Sequence, residues 1–148
     1  MSISSYYNNL IDSSNEFVAD KQDENAVLSG QEERLRDELD VERLQARKLK
    51  KAMNSLKEKM NSFLRENGGL FSLDSEQKDY FLGLLDKHSN LSSKWKSSNS
   101  LKYSLTQNIT SINNRIYSNN LSIFNKTLDI AEYQNEKNLF IRISEEIV

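Results

Sequence analysis

The sequence predicts an all-α fold, a long antiparallel coiled-coil helical hairpin. Three observations predict it. Apolar residues recur at heptad spacing along both halves of the chain. None of the 148 residues is proline, the residue that most effectively breaks a helical hydrogen-bond ladder. Two of the four glycines stand side by side at Gly68-Gly69, close to the midpoint. The chain therefore reads as a single elongated helical domain over 1–148, with one arm at 3–67, a tip at 68–74 and a second arm at 75–148.

The first arm holds one register throughout. Its seam positions are Tyr7, Ile11, Ser14, Val18, Lys21, Asn25, Leu28, Glu32, Leu35, Leu39, Glu42, Ala46, Leu49, Met53, Leu56, Met60 and Phe63. From Ala46 to Phe63 the alternating 3-4 spacing is unbroken, the pattern of a coiled-coil seam. Before Leu35 it is weaker. Gly30 costs about 1 kcal/mol relative to alanine inside a helix, and Ser13-Ser14-Asn15-Glu16 has the composition of a helix start. An extra short N-terminal helix is an open alternative for the first thirty or so residues.

The tip follows from turn and cap chemistry. Glycine reaches positive φ without steric cost, so Asn67-Gly68-Gly69 suits the end of the first helix. Asp74 and Gln77 have capping-box spacing for the second helix, and Asp74 and Glu76 place negative charge at its positive end. Leu70, Phe71 and Leu73 are too apolar for a bare solvent loop. They either cover the end of the seam or form an exposed apolar tip that binds a partner, in which case Leu70 and Phe71 are the contact residues.

The second arm carries its own register: Phe81, Leu84, His88, Leu91, Trp95, Ser98, Lys102, Leu105, Ile109, Ile112, Ile116, Asn119, Ile123, Lys126, Ile130, Tyr133, Lys137, Phe140, Ser144 and Ile147. Ser97-Ser98-Asn99-Ser100 joins four poor helix formers and is a second candidate break. A further apolar row, Leu121, Phe124, Leu128 and Ala131, lies off the seam. It either packs in a small bundle, with residues 3–18 as the covering segment, or binds another chain.

The two arms align if paired residue numbers sum to 144. Phe63 then meets Phe81, Leu49 meets Trp95, Asn25 meets Asn119 and Glu42 meets Lys102. Polar seam residues cost stability but hold the alignment when they meet polar partners. Glu32 and Lys21 fall opposite Ile112 and Ile123, and must reach out of the seam to water. Arms of about 60 residues at 1.5 Å each give a thin rod about 90 Å long.

Apolar content of 36% against 28% charge suits a narrow seam better than a globular core. No convergent catalytic set stands out. There is no cysteine and only one histidine, His88, so neither a thiolate nor a two-histidine metal site is available, and no cofactor is expected. His88 falls in the seam as a structural residue or a pH-sensitive contact. No stretch is long and apolar enough for a transmembrane segment. The first seven residues lack the basic and apolar regions of a signal peptide. The expected location is cytoplasmic, or outside the cell by export without a cleaved signal. A basic block, Arg43, Arg47, Lys48, Lys50 and Lys51, follows an acidic run over 20–42. It reads as a solvated helix face or as a charged docking patch for an acidic partner. The net charge of -2 and the absence of interleaved aromatics argue against nucleic acid.

The expectation is a non-enzymatic interaction protein: an adaptor, chaperone or targeting partner holding another helical protein, with Leu70, Phe71, Leu121, Phe124 and Leu128 carrying contacts. The alternative is a structural spacer or a self-assembling filament subunit, a homo-oligomer. In its heptads and glycine turn the chain resembles, over most of its length, small helical-hairpin proteins of bacterial secretion systems. These include the export-gate stalk proteins of type III secretion and the hairpin partners of type VII substrates. The resemblance implies a hairpin fold.

Overall fold

The structure is a computed structural model that describes residues 2–147. It is an all-α helical hairpin in which two long helices pack against each other. Helix α1 spans Ile3–Glu66, a single 3-10 turn spans Leu70–Ser72, and helix α2 spans Ser75–Ile147. Among the described residues there is no strand.

The start of α1 and the two helix ends at the turn each have a chemical cause. The Ser2 hydroxyl accepts from the Ser5 amide at 3.0 Å and caps the start of α1. At the other end Gly68 and Gly69 take φ of 79° and 95°. This lets the Gly69 amide turn back to the Leu64 carbonyl at 2.8 Å, the six-to-one bond of a Schellman end. Asp74 and Gln77 then form the expected capping box: the Gln77 amide donates to Asp74 Oδ1 at 2.8 Å, and the Asp74 amide donates to Gln77 Oε1 at 2.9 Å. The Gln77 side-chain amide also donates to Asn67 Oδ1 at 2.8 Å, tying the end of α1 to the start of α2.

The heptad seam is the buried stripe of both helices. Every seam position from Tyr7 to Phe63 on α1 is buried or half-buried, as is every one from Phe81 to Lys137 on α2. Phe140, Ser144 and Ile147 are exposed, contrary to the register.

Neither candidate interruption is present among the described residues. Helix α1 runs without a break through Ser13–Glu16 and Gly30, and α2 runs through 97–100. Ser14 and Ser98 are buried in the seam at 3% and 5% exposure. Packing of the buried stripe outweighs the weak propensity of these residues, as it does for most helices in proteins.

The chain forms two compact units. One is Leu35–Asn108; the other joins the chain up to Arg34 with that from Ile109 onward. In the first, Phe63 and Phe81 stack at 6.5 Å between centroids and 12° between planes. Leu39, Ala46, Leu49, Met53, Leu84 and Leu105 are buried along its seam. Glu42 and Lys102, opposite each other in the register, are both half-buried in the seam, but no ion pair joins them among the described residues. Glu42 instead accepts from the Ser98 hydroxyl at 2.5 Å. Ser98, one turn before Lys102, offers a short donor that stays inside the seam, whereas a lysine must extend its ammonium to solvent.

In the second unit the Asn119 side-chain amide donates to Asn25 Oδ1 at 2.9 Å, as the register requires, and the Asn25 amide donates to Asn120 Oδ1 at 3.0 Å. Tyr7 stacks on Phe140 at 6.1 Å and donates its hydroxyl to Glu136 at 3.1 Å, spanning one turn of α2. Burial and that carboxylate push the Tyr7 phenol up from its ordinary value. Lys21 reaches out of the seam to Glu24 at 3.7 Å. Arg115 donates to Glu24 at 2.6 Å and holds its carboxyl below the ordinary range.

Candidate interaction surfaces

The tip buries one of its three apolar residues and exposes the other two. Leu73 is 6% exposed and closes the end of the seam, whereas Leu70 is 49% and Phe71 100% exposed. The cause is backbone: the 3-10 turn over Leu70–Ser72 points these side chains away before Leu73 returns to extended geometry with ψ 135°. Leu70, Phe71, Leu73, Phe81, Leu82 and Leu85, with Lys78, line an apolar notch of about 450 Å³. Leu82 and Leu85 are exposed and line the notch, although the sequence reading did not single them out. Their signal lay in the sequence, as two leucines three apart and off the seam beside the turn.

The predicted docking patch is only partly gathered. Arg43, Arg47 and Lys50 line one cleft of about 390 Å³ with Ala46, Trp95, Asn99 and Lys102. Lys48 and Lys51 are exposed but outside that cleft. Lys50 Nζ sits 4.6 Å from the Trp95 ring centroid, within cation–π range. Arg43 also lies 3.5 Å from Asp40, an exposed pair worth little in water. The hairpin register adds a second cationic stretch that reading α1 alone did not reveal. Residues 43–59 hold seven Lys or Arg against Glu58, and 87–102 hold four Lys and no acid. His88, in that stretch, is half-buried in the seam.

The second apolar row is bare. Leu121, Phe124 and Leu128 are 48%, 60% and 54% exposed, and Ala131 is exposed too. Residues 3–18 do not cover it, because they continue α1 and place Tyr7 and Ser14 in the seam instead. A two-helix hairpin has one buried face per helix, so among the described residues nothing covers an apolar row on the far side of α2. Tyr117, four residues before Leu121, is also exposed and extends the row.

Among the described residues no cluster of three His, Asp or Glu could hold a metal ion, and no helix is long and apolar enough to cross a membrane. Compared with known proteins, the chain matches no family model, no curated protein and no solved structure.

Proposed function

We propose that this chain is a non-enzymatic interaction protein, an adaptor, chaperone or targeting partner that holds another helical protein. The observation that carries the reading is the bare row Leu121, Phe124 and Leu128, at helical spacing on a helix whose other face is already packed. An amphipathic helix laid along such a row reads it as anchors three and four residues apart. Covering a large apolar side chain stabilises by about 1.5 to 3 kcal/mol when complete, so three half-exposed residues supply a modest, reversible interaction. The apolar notch behind Phe71 offers a second anchoring point of the same kind. The two-helix hairpin is also what the chain shares in outline with the small hairpin proteins of bacterial secretion systems, and a partner from such a system fits this reading.

The test is affinity purification of the tagged chain from its native cell, with mass spectrometry and a molar-mass measurement in parallel. The expected result is a stoichiometric partner that is lost from the Phe124→Ser/Leu128→Ser variant while helicity stays unchanged. Loss of helicity in that variant would show the row to be core and sink the assignment. Recovery of the chain with itself alone would favour a structural subunit instead.

A further inference from the structure

The two compact units carry opposite charge. The unit built from Leu35–Asn108 holds fourteen Lys or Arg against ten Asp or Glu; the other holds twelve Asp or Glu against six Lys or Arg. The imbalance is displayed as matching stripes. Asp12, Glu16 and Asp20 follow one another at four-residue steps on α1 and are exposed. Arg43, Arg47 and Lys51 have the same two steps and are also exposed. Four-residue steps keep side chains on one face of a helix, about 6 Å apart along the axis. Among the described residues, none of Asp12, Glu16, Asp20, Arg47 and Lys51 takes part in an ion pair.

We propose that the cationic face around Arg47 and Lys51 docks the acidic stripe Asp12–Glu16–Asp20 of a second copy of this chain. Charge complementarity selects this occupant: the chain itself displays a stripe that is opposite in sign to the cationic face and has the same four-residue spacing. Duplex nucleic acid would also answer to the positive charge, but the net charge of the chain is -2, which gives no long-range attraction for a polyanion. Base stacking is disfavoured as well, because the Trp95 ring is half-buried and already faced by Lys50. The inference is independent of the adaptor reading, which rests on Leu121, Phe124 and Leu128. Association through exposed ion pairs is weak per pair and sensitive to salt, since charges at the surface are screened over about 10 Å at 0.1 M ionic strength.

The experiment is a molar-mass measurement by light scattering on the full chain at about 50 mM and about 500 mM salt, where screening lengths differ severalfold. The expected mass is two copies or more of 17.2 kDa at low salt and one copy at high salt. Two charge-reversed variants extend the test, Asp12→Lys/Glu16→Lys and Arg47→Glu/Lys51→Glu, each checked for retained helicity by circular dichroism. Each alone should stay monomeric at low salt, and an equimolar mixture should associate again, because each variant then meets a complementary stripe. A wild-type chain that remains a monomer at low salt overturns the proposal. So does association that the mixture fails to restore. Salt-dependent binding of a short DNA duplex by a wild-type chain that does not self-associate would transfer the cationic face to nucleic acid.

Discussion

Asn25 and Asn119 face each other across the seam, with Nδ2 of Asn119 donating to Oδ1 of Asn25 at 2.9 Å while Asn119 is only 4% exposed. A buried amide in an apolar seam is costly unless it finds its partner, so this pair penalises other alignments of the helices that frame it. The Asn25→Leu variant leaves Asn119 buried without that acceptor. We expect a loss of about 1 to 3 kcal/mol in urea unfolding. Replacing both by Leu should recover most of that loss, because two apolar groups then meet.

The tip depends on backbone conformations that few residues adopt. Gly68 sits at φ 79°, and an added Cβ would lie 3.3 Å from the Ser72 side chain. The Gly68→Ala variant is expected to lose about 1 to 2 kcal/mol, the cost of left-handed geometry for an L-residue. The Asp74→Ala variant removes one half of the capping box and should cost about 1 kcal/mol. Thermal unfolding of both variants checks the ranking, and an unaffected Gly68→Ala protein would argue against this turn.

Register in the unit Leu35–Asn108 can be read directly by cross-linking. Leu49→Cys with Trp95→Cys places two thiols at positions whose numbers sum to 144. Oxidation should join them within one chain, seen as a faster-migrating monomer on a non-reducing gel. Joining between chains, or not at all, would contradict the alignment.

The Glu24–Arg115 bond gives a pH dependence of defined sign. The carboxyl is held below its ordinary range, chiefly by hydrogen bonding from Arg115. A depressed native pKa contributes stability that is present above the unfolded value and is lost as pH falls through the folded one. The wild type should therefore unfold at higher urea than Arg115→Gln at neutral pH. The gap should close on acidification below the usual carboxylate range. A gap unchanged by acid would mean that Arg115 acts through packing.

Phe124 and Leu73 show how far a linear reading reaches. Leu73 and Phe71 look alike in sequence, both large and apolar beside the turn, yet one is buried and the other wholly exposed. The difference arises from one 3-10 turn that heptad counting does not contain. Phe124 and its neighbours were recognisable as a second apolar row from spacing alone. Whether residues 3–18 cover that row depends on α1 remaining a single helix, and nothing local to the row reveals that. The cationic cleft was half legible: Arg43, Arg47 and Lys50 form a run along α1, but Lys102 joins them only through the hairpin.

By itself the sequence determined the helical class, the turn at Gly68-Gly69, the capping box and the seam register. These rest on interactions between residues close in the chain and on a periodicity repeated often enough to have one solution. Tertiary packing alone decided that Ser14, Gly30 and Ser97–Ser100 stay helical, because the buried stripe stabilises those turns more than local propensity weakens them. It also decided that Glu42 bonds Ser98 rather than Lys102. A seam accommodates a short hydroxyl beside a carboxylate more readily than it desolvates an ammonium, and that balance exists only once both helices are in place.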